Sequence, residues 1–491
     1  MKPKNKTAHV TSQTSDMECA HENKSSIKEI SVVGLGKLGL CVATCLAYKG
    51  YRVFGVDIDP QKIDLINKGI SPIYEPMLSD MLGVCKDRLT ATHDYNFAIK
   101  NSDATFIIVN TPSKPDGSYS LEQLMQASQE IGYALKNKNS FHLVIVTSTV
   151  LPGTTDTIIK PLLEKSSGKK CSLDFGLCYN PEFIALGSVI HDFLNPDVLL
   201  IGESDPRSGQ LLEEMYKRAC ENDPKIVRMN HDCAELTKIA LNSYVTMKIS
   251  FANTIAELCE RLEGGDVDAV TSALGLDKRI GPKYLKGGLG FGGPCFPRDN
   301  EAFSHFAKQL GCDAKLAKAS DAVNNAQIKR IVRIAEERLK GVNEKVAILG
   351  LTYKPNTNVV EASQSMDIAI ALSEKGYSVY VYDPLGTDNA KSILGDKVNY
   401  AQSFAECIAN ARLCIITTPW EEFKKLEPED FTSNSEETAI IDCWRILNAQ
   451  QFRRKMDYVG IGLAKQKMQA DRKAAVRHKR TLNQTHILSA R

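Results

Sequence analysis

The sequence predicts an α/β protein in which two doubly wound parallel sheets are joined by a long central helix, and three observations carry that prediction. The chain repeats a pattern: the apolar run Ile30 to Val33 leads into Gly34-Leu35-Gly36, and Val346 to Leu349 leads into Gly350-Leu351-Thr352. Each copy continues with a helical stretch, a Gly-Tyr-led strand closing on an acid (Gly50-Tyr51 to Asp57; Gly376-Tyr377 to Asp383), and an apolar run closing on Thr-Pro (Thr105 to Pro112; Cys414 to Pro419). Between the copies, Ala234 to Leu262 contains neither Gly nor Pro and stops at Gly264-Gly265. Continuous apolar runs alternating with helices mark strands covered on both faces. The uninterrupted stretch spans about 43 Å as a helix, and its Gly-Gly stop is a helix-end signal.

Composition supports several domains in one soluble chain. At 491 residues the chain is too long for a single core. The expected division is a polar tail over 1–27, a dinucleotide-binding domain over 28–225, a central helical domain over 226–335, a second doubly wound domain over 336–465 and a basic tail over 466–491. A net charge of +2 gives no electrostatic case for nucleic acid or a membrane surface. No stretch reaches the apolar length of a membrane span, and Met1 to Lys28 has no apolar core resembling a signal peptide, so a cytoplasmic protein is expected. The 14 cysteines form no C-x-x-C or Cys/His cluster, so no metal is expected. A reduced, buried cysteine is the ordinary case, and a special one must stand out by context.

Gly34-x-Gly36-x-x-Gly39 follows the first strand and opens the first helix. The three glycines serve a tight turn, the approach of a diphosphate, and close helix–strand packing. The helix N-terminus adds free N–H groups and the positive end of its dipole. Asp57 ends the next strand, 18 residues after Gly39, where a carboxylate accepts from ribose hydroxyls and repels a 2′-phosphate. These features predict a Rossmann-like site for NAD⁺ rather than NADP⁺. In the second copy Thr352 replaces the second glycine, so that domain is expected to have kept the fold and lost the dinucleotide.

The most unusual segment is Gly287-Gly288-Leu289-Gly290-Phe291-Gly292-Gly293-Pro294-Cys295-Phe296-Pro297-Arg298-Asp299. Its bare backbone suits close wrapping of a ligand. The adjacent cation and carboxylate suit a nucleophilic thiol and its proton. Lys238 and Asn242 lie four apart, hence on one helix face, where they can hold an oxyanion. Asn180-Pro181-Glu182-Phe183 and Ser148-Thr149 follow apolar strands, at the edge where α/β sheets place ligands.

Together these pieces resemble the UDP-glucose/GDP-mannose dehydrogenase family from about residue 28 to 460. The matching motifs are Gly34-Leu35-Gly36, Asn110-Thr111-Pro112, Ser148-Thr149-Val150, Asn180 to Phe183, Ala234-Glu235-Leu236 through Asn242, Gly290 to Asp299, and Lys354-Pro355. The form Gly-Phe-Gly-Gly-x-Cys-Phe is most similar to the UDP-glucose branch. The resemblance implies that Cys295 is the nucleophile, that Lys238 and Asn242 hold the oxyanion, and that Asp299 assists protons or water. It implies that Glu182 and Thr149 attend the aldehyde and thioester stages. Cofactor contacts are expected from Gly34, Gly36, Lys37, Leu38, Gly39, Asp57, Lys62, Thr111 and Thr149. Substrate contacts are expected from Glu182, Phe183, Lys238, Asn242, Arg279, Tyr284, Lys286, Gly292, Tyr353, Lys354 and Arg445, with Arg279 reaching a partner subunit's site. The expected partners are a nucleotide-sugar substrate, UDP-glucose by preference, and further copies of the chain, as a homodimer or a higher homo-oligomer docked through the central helix.

This chain also departs from the family pattern. Leu186 stands where a second glutamate is usual, and Asn356, Asn358, Val359, Glu361 and Ala362 replace a run of acids and an Arg-Glu pair. Pro294 and Pro297 bracket the cysteine. These changes leave open another nucleotide sugar, such as a UDP-N-acetylhexosamine or GDP-mannose. A one-step dehydrogenase of the 6-phosphogluconate or 3-hydroxyacid type and a catalytically silent nucleotide-binding relative are the rival readings. Cys295 argues against the first, and the presence of Lys238, Asn242, Cys295 and Asp299 together against the second.

Overall fold

The computed structural model describes residues 27–431 and 438–465. The expected basic tail, and all but the last residue of the expected N-terminal tail, lie outside the described residues. The first sheet has eight strands: β1 (Glu29–Val33), β2 (Arg52–Val56), β3 (Leu89–Thr92), β4 (Ala104–Ile107), β5 (His142–Val146), β6 (Phe175–Tyr179), β7 (Val198–Glu203) and β8 (Lys225–Met229). Their order is β3-β2-β1-β4-β5-β6-β7-β8. The order reverses at β1, which pairs in parallel with both β2 and β4, and this opens a crevice at the carboxyl ends of β1 and β4.

One junction departs from the parallel expectation. β7 runs antiparallel to β6, with Cys178 opposite Glu203. An antiparallel neighbour needs no crossover to the far edge. The connection 180–197 therefore stays at the carboxyl edge, and with it Asn180-Pro181-Glu182-Phe183. Helix Lys37–Tyr48 and the short helix Val189–Leu194 pack into one core on one face. Helix Glu122–Leu135 lies in the core of the other face. Strands β4, β5 and β6 are buried throughout, which explains their unbroken apolar runs.

The second sheet holds β9 (Lys345–Leu349), β10 (Ser378–Tyr382), β11 (Asn399–Tyr400), β12 (Leu413–Ile416), β13 (Ala439–Asp442) and β14 (Asp457–Gly460), all parallel, in the order β11-β10-β9-β12-β13-β14. Between the sheets runs a 29-residue helix, His231–Cys259. It begins three residues before the sequence-predicted start because the Asn230 side chain caps it, accepting from the backbone N–H of Cys233 at 2.9 Å. Helices Phe296–Gln309 and Lys315–Glu336 pack along it. Among the described residues no helix is long and apolar enough to cross a membrane.

Candidate active site

The dinucleotide crevice is built by three glycines with separate tasks. Gly34 has φ +93°, and a Cβ there would stand 2.4 Å from the Ile108 carbonyl oxygen. A Cβ at Gly39 would stand 1.8 Å from the Gly34 carbonyl oxygen, so helix and strand touch there. A Cβ at Gly36, by contrast, would meet no atom within 4 Å. That open space lies before the N-terminus of Lys37–Tyr48, which no side chain caps. Space plus uncapped N–H groups, with Lys37 and Leu38 in the first turn, is what a diphosphate requires. Asp57 follows β2, with one oxygen 2.8 Å from the Leu35 N–H and Lys62 Nζ 3.9 Å from the other. The residues present therefore fit the dinucleotide.

The equivalent position of the second domain is closed. Asp383 is buried, and its two oxygens accept from the N–H groups of Leu351, Thr352, Leu385 and Gly386, the Thr352 hydroxyl and the Trp420 indole. No lone pair is left for a ribose, which is the physical form of the loss that Thr352 signals.

The residues expected to react meet where the central helix passes the carboxyl edge of the first sheet. Lys238 and Asn242 are buried on its inward face. Lys238 Nζ donates to the Glu182 backbone carbonyl at 2.6 Å and stands 5.1 Å from the Phe183 ring centroid. Asn242 Nδ2 donates to Asp299 Oδ2 at 2.6 Å. Asp299 is wholly buried, and its other oxygen accepts from the Tyr119 hydroxyl at 2.7 Å, so it stands beneath the cleft rather than in it. Thr111 Oγ1 donates to the Thr149 carbonyl at 2.8 Å, tying the ends of β4 and β5 together.

Cys295 is exposed to the cleft at the N-terminus of Phe296–Gln309. Pro297 sits in the first turn, where a proline costs the helix no hydrogen bond. Enclosure by the cleft walls raises the thiol pKa, Lys238 and Arg298 draw it down, and Asp299 adds to the rise. The helix N-terminus further favours thiolate. Burial pushes the Glu182 carboxyl up to about 7, against the hydrogen bond from Tyr216 and the charge of Lys238. The Tyr216 hydroxyl lies 3.1 Å from Glu182 Oε1 and 2.5 Å from Asn180 Oδ1.

The glycine segment has a use that bare flexibility did not suggest. Gly288 presses on Cys443 and Trp444, Gly290 on Gln364, Gly292 on the Ala362 carbonyl and Gly293 on the Tyr353 ring, each at a distance no Cβ tolerates. Close packing against the second doubly wound domain, and for Gly290 against Asn324 as well, requires glycine at those four positions. Gln364 accepts from the Gly290 N–H at 2.7 Å, and Asn324 accepts from the Phe291 N–H at 2.7 Å.

Tyr353 thus touches the cysteine segment. Lys354 stands nearby, its pKa lowered by burial against the pull of Asp192 and Glu75. Tyr284 borders Phe296, with ring centroids 6.2 Å apart.

Three expected substrate residues are not brought into this cleft. Arg279 is 88% exposed and pairs with Asp277. Lys286 is exposed beside Asp268. Arg445 is buried because its guanidinium is filled by protein acceptors: both Asp268 oxygens at 2.7 Å, Gly287 O at 2.8 Å and Ile461 O at 2.5 Å.

Sequence reading also missed residues the cleft depends on. Glu235, fully buried, accepts from Gly153 N–H, Thr155 N–H and the Thr155 hydroxyl, and so holds the loop after Thr149. Its place three residues before Lys238, on the same helix face, was the available signal. Tyr119 and Tyr216 gave none, being ordinary tyrosines in unremarked segments.

Comparison with known proteins agrees with this geometry. Three domains of one family match in order: the NAD binding domain of the UDP-glucose/GDP-mannose dehydrogenase family over residues 28–220, its central domain over 232–326 and its UDP binding domain over 347–449. The chain is 36% identical over 426 residues to a UDP-glucose 6-dehydrogenase of Haloferax volcanii, covering 86% of this chain and 98% of that one. It is 38% identical over 358 residues to a GDP-mannose 6-dehydrogenase of Pseudomonas putida, covering 72% of this chain and 80% of that one. Its fold superposes on a UDP-glucose dehydrogenase structure from Pyrobaculum islandicum with TM-score 0.82 and 36% identity, covering 90% and 99% of the two chains. The dinucleotide crevice, the closed second domain and these matches agree: the chain belongs to the UDP-glucose/GDP-mannose dehydrogenase family and is an NAD-dependent oxidoreductase.

Proposed function

We propose that the protein oxidises the C6 alcohol of a nucleotide sugar, UDP-glucose by preference, to the carboxylate through a covalent intermediate on Cys295. The observation that carries this reading is an exposed thiol at a helix N-terminus within the electrostatic reach of Lys238, beside an Asn242 amide fixed by Asp299. A single alcohol oxidation has no use for that thiol.

NAD⁺, bound at the Gly36 crevice, supplies the hydride acceptor for both oxidations. Lys238 and Asn242 stabilise negative charge on the substrate oxygen. Cys295 Sγ bonds to the aldehyde carbon as the thiol proton passes to the aldehyde oxygen, giving a thiohemiacetal, and its oxidation gives a thioester. Water then cleaves the C–S bond, releasing the acid and restoring the thiol, with Glu182 accepting the water proton. A carboxyl poised near 7 suits that task.

The substrate preference rests on the family's UDP binding domain over 347–449 and on relatives named as UDP-glucose 6-dehydrogenases. Leu186 and Glu361, with the 38% identity to a GDP-mannose 6-dehydrogenase, favour testing other nucleotide sugars as a second reading.

The active unit is a dimer of this chain. Leu241, Tyr244, Phe251 and Leu258 recur at three- and seven-residue spacings along the central helix and are 36–56% exposed, the pattern of a helix seam. Helix Val267–Leu276 adds a hollow of about 600 Å³ lined by Ala269, Val270, Ala273, Leu274 and Ile280, with Asp277 as its charged member. Arg279 is 88% exposed and pairs with Asp277, which lines that hollow, an exposure that suits a residue serving the partner's site.

Counting NADH released per UDP-glucose consumed tests the chemistry. Two per sugar, with turnover lost by at least about a thousandfold in Cys295→Ser, is the expected result. One NADH with the variant unaffected removes the thioester pathway.

A further inference from the structure

We propose that Tyr119 is a positioning residue for the oxidation: its hydroxyl fixes the Asp299 carboxylate, which in turn aims the Asn242 amide at the reacting oxygen. This rests on the reading of Asn242 as an oxyanion donor given above.

Tyr119 belongs to the loop between β4 and helix Glu122–Leu135, directly after the Asn110-Thr111-Pro112 motif. It is 3% exposed and Asp299 not at all. A carboxylate without solvent needs a donor at each oxygen. Oδ1 has the Tyr119 hydroxyl at 2.7 Å and, more weakly, Arg298 Nε at 3.4 Å, while Oδ2 has Asn242 Nδ2 at 2.6 Å. With both oxygens anchored the carboxylate cannot rotate. Asn242 is thereby held with its nitrogen toward Asp299, and its second N–H takes a fixed direction. The side chains of Tyr179 and Cys295 also face Asp299, and neither hydrogen-bonds to its carboxylate.

The same loop grips the helix that carries Cys295 at further points. Arg298 Nη1 donates to the Thr111 carbonyl at 3.3 Å, and its guanidinium lies over the Tyr119 ring, 5.2 Å from the centroid. His305 Nδ1 donates to the Asp116 carbonyl at 2.7 Å. Ser113 bridges Tyr119 across the loop, so the tyrosine sits on a closed hairpin rather than a free end. The strand end expected to contact the cofactor and the helix expected to hold the nucleophile are thus joined at several points, and Tyr119 makes the join that reaches the Asp299 carboxylate. Tyrosine suits the position because a rigid ring fixes where its hydroxyl stands. Phenylalanine keeps the ring, the Arg298 stacking and the loop, and removes only the donor.

The test is steady-state kinetics of Tyr119→Phe, Asp299→Asn and the double variant with UDP-glucose, beside their unfolding midpoints. Losing one hydrogen bond to a buried charge is expected to lower kcat about tenfold in Tyr119→Phe. KM for the sugar should stay within about twofold, and the substitution should add no further loss to Asp299→Asn. An unchanged kcat, or a full additional loss in the Asp299→Asn background, overturns the proposal. A wild type that releases one NADH per sugar removes the thioester reading but leaves this comparison intact, because the remaining hydride step still relies on Asn242.

Discussion

At the scale of single residues, the cleft is governed by how carboxylates are housed. Asp299 is anchored at both oxygens, whereas Glu182 has one tyrosine hydroxyl and the charge of Lys238 to offset its burial. Its folded pKa of about 7 stands above the ordinary value of 4.5. The protonated form is therefore favoured by folding: the contribution to stability is complete below about 4.5 and is lost as pH rises through about 7. Activity should run the other way under the proposed role of Glu182 as acceptor of the water proton, with kcat rising with pH through about 7. Tyr216→Phe removes a donor that favours the charged form, and should move that limb to higher pH. A pH–rate profile of the two proteins checks this, and a limb that moves down or stays put contradicts the role of Glu182. The proposed reacting groups, Cys295, Lys238, Asn242 and Asp299, were visible in the sequence as motif members. Their supports were not, because Tyr119 and Tyr216 act through positions the chain reaches only after folding.

At the scale of elements, the strand–turn–helix around Gly34 shows that identical residues in one motif answer to different forces. Gly36→Ala places a methyl in open space and should leave the unfolding midpoint unchanged. KM for NAD⁺ should rise by tenfold or more, because the methyl stands where the diphosphate approaches. Gly39→Ala drives a methyl into the Gly34 carbonyl and should cost about 1–3 kcal/mol of stability. Denaturant melts with cofactor titrations separate the two. Strands and the central helix were readable from periodicity, since burial on both faces leaves an unbroken apolar run and a long helix excludes Gly and Pro. The reversal of β7 was not readable, because strand direction leaves no mark on side-chain alternation. Nor was the packing of Gly288, Gly290, Gly292 and Gly293 against the third domain, because a glycine needed for close contact looks the same as one needed for freedom. Tyr284, Ala362 and Arg445 adopt positive φ without being glycine, and no local sequence signal announces that conformation either.

At the scale of the whole molecule, the two parallel sheets contribute unequally: one offers the open Gly36 crevice, and the other seals the equivalent space with Asp383. The exposed seam on the central helix supplies the remaining test. On the proposed dimer, replacing Phe251 and Leu258 with glutamate should halve the sedimenting mass and, if Arg279 serves the partner's cleft, lower turnover together with it. A variant that sediments as a monomer with full turnover rejects the role of Arg279. A double variant still dimeric rejects the seam.

The contacts that pin the cysteine segment carry a consequence for how the protein is made. Residues 287–295 leave the ribosome well before Tyr353, Ala362, Gln364 and Cys443, the groups they rest against. A nascent chain ended near residue 340 therefore carries its thiol without the surface that organises it. The packing of the glycine segment is thus completed only as the last domain is synthesised, after every residue of the first sheet and the central helix.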